Sequence, residues 1–366
     1  MVKLVAGNLF KSNAQTLVNT VNCVGVMGKG IALEFKKRFP EMYKDYVERC
    51  KNKQVKLGEP YLYKYTPGPW ILNFPTKDHW RSVSKLKDIE KGLDYLIKHY
   101  KQWGITSLAV PPLGCGQGGL DWNIVGPMLY TYLGKLDIPV ELYAPLGASG
   151  EKLNTDLLKC ESVQSNYLSE SIKPGWVALV EILYRIEKQL YYWPVGRTKF
   201  QKIAYVATKE GIPTGLIYKK ASYGPFSKEL KSVITKLVNN GLILEKRCGR
   251  MFIVKVGPTF HDLRNKHFKD IERWEATIEK IADLFIRMRT DQAELATTVM
   301  FSVDELKQIL GEKPSEMDVL EYVLKWKRNR QPPLDKIEVA STIRNLAALN
   351  WLEVKPSADL PVAYEF

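Results

Sequence analysis

Two stretches of this chain share one order of parts, an apolar strand, a cluster of glycines and then a helix, and together they restrict the fold to a small set of α/β architectures. In the first, Leu17, Val18 and Val21 close a buried strand, and the chain passes Gly25, Gly28 and Gly30 into the amphipathic IALEFKKRF. In the second, the apolar SLAVPPL ends at Pro112 and Leu113, and Gly114, Gly116, Gly118 and Gly119 precede a helix beginning near Trp122. A glycine-rich turn entering a helix exposes backbone N–H groups at the positive end of the macrodipole, a site for a diphosphate. Two such loops can grip one phosphorylated ligand from both sides. Neither is the P-loop of an ATPase, because Lys29 is followed by Gly30 where a magnesium-binding hydroxyl is needed. GVMGKG does not read G-x-G-x-x-G, so a dinucleotide site at the first loop is also disfavoured.

Short apolar runs alternate with helical patterns through the first half. LVA, TLVNTV, PYLYKY, WILNF, SLAVPPL and VELYAPL read as strands, and helices fit 31–39, 41–51, 84–102 and 122–134. This alternation predicts a mixed, largely parallel sheet between helices, with ligands beyond the carboxyl ends of its strands, where both glycine loops fall. From Gly147 to about Gly175 the periodicity weakens and Ser, Asn, Glu and Lys accumulate. The expected organisation is a first domain over 1–150, a linker over 151–175 and a second domain over 176–366. The second opens with the helical WVALVEILYRIEKQL, and KASYGPFSKELKSVITKLVNNGLILEKRCGRMFIVKV reads as a turn, a helix capped near Ser227 and a two-stranded wing, as in winged-helix folds. The remainder, from His261 to Phe366, reads as helical with a strand-like LEVKP near its end.

Lysine and arginine exceed the acids by 14, an excess shared by both halves, which favours polyanionic partners. Lys219, Lys220, Lys228, Lys231, Lys236, Lys246, Arg247 and Arg250 either meet phosphates or face water. The 5 cysteines, at 23, 50, 115, 160 and 248, form no C-x-x-C pair, and the 4 histidines, His79, His99, His261 and His267, lack ligand spacing. A reducing compartment and no metal site are expected. No charged leader with an apolar core opens the chain, and no apolar run nears the roughly 18 residues of a membrane span, so the expectation is a soluble, cytoplasmic protein without membrane contact.

Residues 1 to about 147 resemble the macrodomain family, the ADP-ribose-binding α/β fold: the opening strand KLVAGNLF, the NTVN segment with its glycine loop and the PPLGCG loop stand in the family's order and spacing. Within it the chain is similar to the branch that hydrolyses ADP-ribose esters through a lysine, and to the DarG antitoxins that remove ADP-ribose from DNA bases. GNLF at 7–10, VGVMGKGIALEFKKRFPE at 24–41 and NFPTKDHWR at 73–81 carry that likeness. The YGPxS turn of the second half resembles small domains that accompany toxin–antitoxin systems.

The resemblance implies Lys77 as the group acting on C1″ of the distal ribose. Its position after WILNF and Pro75 puts the amine at a strand end, and desolvation near Arg81, His79 or Lys29 would leave it available as nucleophile or base. Relatives that cleave protein esters carry an aspartate after Gly-Cys-Gly, whereas here Gln117 and Gly118 follow. The acid is then Asp121, which also stands where a helix cap belongs, or His79, which also reads as packing on Trp80. The implied ligand contacts are Asn22 on the distal ribose, Asn19 shaping the loop, Asn8 and Leu9 near the adenine, and the backbone of Gly25, Val26, Met27, Gly28, Gly30 and Ile31. They continue with Thr76, Pro112, Leu113, the amides of Gly114, Cys115 and Gly116, then Gln117, Gly118, Gly119 and Trp122. Cys115 reads as packing, since no base activates it. No cofactor is implied, and ADP-ribose is bound as product. The implied partners are ADP-ribosylated DNA, single-stranded and modified on thymidine, and a DarT-type DNA ADP-ribosyltransferase toxin held by the second half. The rival readings are a glutamyl-ADP-ribose hydrolase and a non-catalytic ADP-ribose reader joined to a DNA-binding winged helix.

Overall fold

A computed structural model describes residues 1–145, 172–249 and 251–361, and the chain divides into two units, Met1–Glu170 and Ser171–Phe366. The linker expected over 151–175 lies outside the described residues up to Ser171, and a helix already begins at Pro174.

In the first unit the strands are β1 (Val2–Val5), β2 (Thr16–Asn22), β3 (Tyr61–Tyr63), β4 (Trp70–Lys77), β5 (Leu108–Val110) and β6 (Val140–Tyr143). The helices are α1 (Gly30–Arg38), α2 (Pro40–Lys51), α3 (Leu86–Trp103) and α4 (Trp122–Leu133). The sheet order is β1-β6-β5-β2-β4-β3, parallel throughout except for β3 against β4. Alternation along the strands feeds two cores. Val18, Leu72 and Phe74 pack with Leu93, Leu96 and Met128 of α3 and α4, while Leu17, Val21 and Ile71 pack with Phe35, Met42 and Tyr46 of α1 and α2. This is the expected mixed sheet between helices. Pro40 ends α1, because the residue before a proline is driven out of the helical region, and Phe39 sits at φ −129°, ψ 67°. Gly92, inside α3, is where Phe74 enters: a Cβ there would stand 2.3 Å from the ring.

The run WILNF continues as strand through Pro75 and Thr76 to Lys77. Its pairing with β2 steps from Val21↔Pro75 to Asn22↔Lys77, so Thr76 is an extra residue on β4. Proline has no N–H for the ladder and is accommodated at such a bulge, which re-aims the side chain that follows.

The second unit places helices at Pro174–Glu187 and Arg197–Lys209, a hairpin of Lys219–Ala221 with Gly224–Phe226, a helix at Leu230–Asn239 and a second hairpin of Ile243–Cys248 with Met251–Val256. The last helix and the hairpin after it are the expected helix and two-stranded segment, and the first hairpin precedes them. The first hairpin carries the YGPxS turn, and buried amines hold it. Lys202 donates to the carbonyls of Tyr223 and Pro225, and Lys327 donates to Ser222 O at 2.7 Å. Gly224 has φ +83°, and a Cβ on it would meet Thr298 Oγ1 at 2.7 Å.

Three expectations need correction. The Ser227 hydroxyl donates to the Glu229 carboxylate at 2.8 Å, and the helix begins at Leu230 with no side-chain cap. Lys220 is tied to Glu305 at 3.1 Å and Tyr322 at 2.8 Å and is not a solvated phosphate contact, while Arg250 lies outside the described residues. Helices cover most of 260–348, but LEVKP contributes a single bridge, Lys355 to Ser315, in place of a strand. Among the described residues no helix is long and apolar enough to cross a membrane.

Candidate functional site

Strands β4, β2 and β5 lie side by side and parallel, so the segments leaving their carboxyl ends converge. β2 delivers the first glycine loop, β5 the second, and β4 delivers Lys77, in register with Asn22. The site is therefore assembled by topology from stretches separated by tens of residues.

The first loop is built around Asn22. Its Oδ1 accepts from the N–H of Val24 at 3.0 Å and of Val26 at 3.4 Å, and its Nδ2 donates to Val26 O at 2.5 Å. Tyr46, fully buried in α2, sets its hydroxyl 2.7 Å from Asn22 O and 3.1 Å from Asn22 Oδ1. Cys23 N–H donates to Asp78 O at 3.2 Å, which ties the loop to the end of β4. Gly25 and Gly30 have φ of +78° and +60°, so the turn needs glycine at both. Lys29 stands at the N-cap of α1 without a side-chain cap bond, leaving the first-turn amides of Gly30 and Ile31 for an anion.

The second loop is pinned from behind. Ser84 N–H donates to Gly118 O at 3.0 Å, and Leu120 N–H to Gly114 O at 3.1 Å. Gly118 admits no side chain, since a Cβ would lie 2.2 Å from Gly114 O and 2.3 Å from Ser84 Oγ. Gly116 differs: its φ is not positive and a Cβ on it meets nothing within 4 Å. Gly28 likewise has only Val26 Cγ1, at 3.8 Å. Nothing in the protein requires glycine at these two positions, which is what close approach of a ligand to the backbone would require. The Cys115 amide closes a turn on Pro112 O at 3.2 Å, and that of Gly119 turns onto Gly116 O at 3.2 Å. The amides of Gly114 and Gly116 are thus better placed for a diphosphate than that of Cys115.

Lys77 is 9% exposed, and its Nζ donates to Gln117 O at 2.5 Å, joining β4 to the second loop. His79 Nδ1 accepts from Arg81 N–H at 3.2 Å, so the neutral ring carries its proton on Nε2, and the ring stacks on Trp80 at 5.4 Å. Asp121 caps α4, with Oδ1 accepting from Asn123 N–H at 3.0 Å. Asn19 is fully buried and donates to Asn73 Oδ1 at 2.9 Å, consistent with shaping the loop from beneath. Exposed Asn8 accepts from Phe10 N–H at 3.0 Å. Leu9, Met27, Thr76 and Leu113 are buried, so a ligand would meet their backbone only. Trp122 is half-buried against the α3–α4 core. Among the described residues no group of three or more His, Cys, Asp or Glu could hold a metal ion.

Burial pushes the Cys115 thiol up to about 12, with the nearby Asp121 carboxylate adding to the effect, and burial first, then Cys50, raises Cys23 to about 12. Both remain thiols well above neutral pH. Iodoacetamide at pH 7.5 is expected to leave ligand binding intact, and rapid modification at Cys115 with loss of binding would contradict this. Tyr46 and Ser84 were not legible as site residues, because Tyr46 follows Met42 at helical spacing and reads simply as core. Tyr46→Phe removes the hydroxyl that fixes Asn22. It should cost about 1–3 kcal/mol of unfolding free energy and weaken ADP-ribose binding severalfold, as measured by denaturation and calorimetry.

A Macro domain model matches residues 18–129. The chain is 47% identical over 163 residues to a DNA ADP-ribosyl transferase–DNA ADP-ribosyl glycohydrolase fusion protein of Thermosipho africanus, covering 40% of this chain and 42% of that one. It is 35% identical over 245 residues to a DNA ADP-ribosyl glycohydrolase of Thermus aquaticus, covering 65% and 64%. The solved macrodomain of Mycobacterium tuberculosis DarG is 47% identical, with 40% of this chain and 98% of that one covered at a TM-score of 0.39. The chain thus spans less than two thirds of the length of the curated relatives named here. The first unit belongs to the macrodomain family and is similar in sequence to the DarG-like DNA ADP-ribosyl glycohydrolases.

Proposed function

We propose that this protein is an antitoxin whose first unit removes ADP-ribose from ADP-ribosylated DNA by hydrolysing the bond between base and ribose. The observation that carries the reading is Lys77: a buried amine at the end of β4, in register with Asn22 and hydrogen-bonded to the second glycine loop at Gln117. The two loops would hold the diphosphate, and Asn22, with one N–H beyond its bond to Val26, would meet the distal ribose. Lys77, as the free amine, attacks C1″. The N–C1″ bond forms as the bond from C1″ to the base breaks, and the base nitrogen leaves with the electron pair and takes a proton. Water then displaces the lysine, giving ADP-ribose and the restored amine. We assign the proton to the imidazolium form of His79, which gives it to the base from Nε2 and recovers it from the water that displaces the lysine, because Asp121 is committed to capping α4. Gln117, where protein-ester hydrolases of the branch carry aspartate, suits a nucleobase as leaving group. The base is the thymine of a thymidine, the DNA single-stranded and the compartment the cytoplasm. The second unit binds a DarT-type toxin, a reading supported by the fusion of transferase and glycohydrolase in the Thermosipho relative.

Release of ADP-ribose from an oligonucleotide bearing one ADP-ribosylated thymidine, set beside a glutamyl-ADP-ribose peptide, tests the activity. Turnover on DNA with little on the peptide is expected. Turnover on the peptide alone would make the protein an ester hydrolase, and ADP-ribose binding with no turnover on either would make it a reader.

A further inference from the structure

The segment that follows Lys77 is a strap tied to both glycine loops. Asp78 O accepts from Cys23 N–H of the first loop at 3.2 Å, and Ser84 N–H donates to Gly118 O of the second at 3.0 Å. Between these ties Ser82 N–H closes a turn on His79 O at 2.9 Å, so Trp80 and Arg81 occupy the two central positions of that turn. Ser82, Val83 and Ser84 are buried and anchor the strap, whereas Trp80 and Arg81 are exposed. The indole is 46% exposed and belongs to neither core of the sheet.

A ring of this size would stabilise the fold if it were buried, so its exposure at a tethered turn calls for another cause. Its neighbours hold it in place: the His79 ring stacks on it with centroids 5.4 Å apart, and the Arg81 guanidinium lies 4.5 Å from the ring centroid. The other large apolar side chains exposed in the first unit, among the described residues, are Met1, Val24, Val26 and Tyr130. Val24 follows Cys23, the residue tied to Asp78, and Val26 lies on the same loop. Exposed apolar surface therefore gathers at the mouth of the cleft that holds Lys77. In the proposed reaction C1″ stands at Lys77, and the group bonded to it leaves past this rim. A peptide carboxylate has no flat apolar surface to set against the rim. A nucleobase has one, and bases gain affinity by contact with aromatic side chains.

We propose that Trp80 forms a subsite for the nucleobase carried on C1″, with the base against the indole and Val24 and Val26 around it, while ADP-ribose fills the cleft. The proposal rests on the DNA-directed reading of that cleft. It names the residue that distinguishes a base from a carboxylate as the group bonded to the ribose. The stack of His79 on Trp80 also sets the proton donor beside the base that it protonates.

The test reads binding in the full chain carrying Lys77→Ala, so that adducts stay intact during calorimetry. The ligands are free ADP-ribose, ADP-ribosylated thymidine and a glutamyl-ADP-ribose peptide. The thymidine adduct should bind about tenfold tighter than ADP-ribose, which corresponds to about 1.4 kcal/mol. Adding Trp80→Ala should bring the two within about twofold of each other, with the Kd of ADP-ribose and of the peptide unchanged. Trp80→Phe, which keeps an aromatic face, should restore most of the gain. Tyr130→Ala, also exposed but about two turns along α4 from its cleft end, should keep all of it. The proposal is overturned if thymidine adds nothing to affinity, if the gain survives Trp80→Ala, or if that change weakens free ADP-ribose by the same factor. A peptide that gains equally from Trp80 overturns it as well. Turnover by the chain with Lys77 intact is scored separately. If neither adduct is turned over, the hydrolytic reading fails, while a gain that depends on Trp80 still supports the base subsite.

Discussion

Lys77→Ala is expected to abolish release of ADP-ribose from modified DNA, with turnover falling by about 10²–10⁴-fold, while the affinity for free ADP-ribose changes little. The split follows from where the residue sits. Backbone amides of two loops would supply the diphosphate grip, and none of them depends on the lysine side chain. The amine is buried at a strand end and reaches the second loop through Gln117 O. Its loss leaves one carbonyl with a poorer partner, a cost of about 1–3 kcal/mol that the fold can bear. Lys77→Arg sharpens the test, because arginine keeps the charge and a donor for Gln117 O but cannot give up a proton at working pH. If the lysine acts as a free amine, both variants are inactive. If it only stabilises charge, Lys77→Arg retains a substantial fraction of the rate, and the nucleophilic role is lost. Single-turnover release with calorimetric ADP-ribose binding separates these outcomes.

What the sequence made legible tracks the range of the forces involved. The strands and helices of the first unit were readable because alternation of period two and helical spacing are local patterns, and both glycine loops announced themselves by composition. Strand order was not written locally. That β4 lies beside β2, and so brings Lys77 into register with Asn22, depends on the pairing of distant stretches. The bulge at Thr76 had a local sign, a proline inside an apolar run, but its effect on Lys77 could be seen only against β2. Tyr46 was invisible for a different reason: its ring obeys the core pattern, and only its hydroxyl, aimed at Asn22, belongs to the site. The reading failed near Ser227 and at LEVKP, where capping and strand formation were inferred from residue types while the Glu229 carboxylate and the lack of a continuous partner strand decided the outcome.

Two alanines in the second glycine loop, two residues apart, should fail in opposite ways. Gly118→Ala puts a Cβ into a space where Gly114 O would be 2.2 Å away and Ser84 Oγ 2.3 Å, and the closest obstacle is backbone. The loop must shift, breaking the bond between Ser84 N–H and Gly118 O, at a cost of about 2–3 kcal/mol or a fall of roughly 4–12 °C in Tm. Gly116→Ala meets nothing within 4 Å and its φ suits an L residue, so Tm should stay within about 2 °C of wild type or rise slightly. Its effect is expected on the ligand. If a diphosphate approaches the Gly116 amide as closely as an N–H···O bond demands, the added methyl stands in its path, and Kd for ADP-ribose should rise at least about tenfold. Calorimetry on both variants beside thermal denaturation reads the two effects independently. An unchanged Kd in Gly116→Ala would move the diphosphate off this loop and onto the N-terminus of α1 alone, and with it would go the reading in which the Gln117 carbonyl sets Lys77 against the distal ribose.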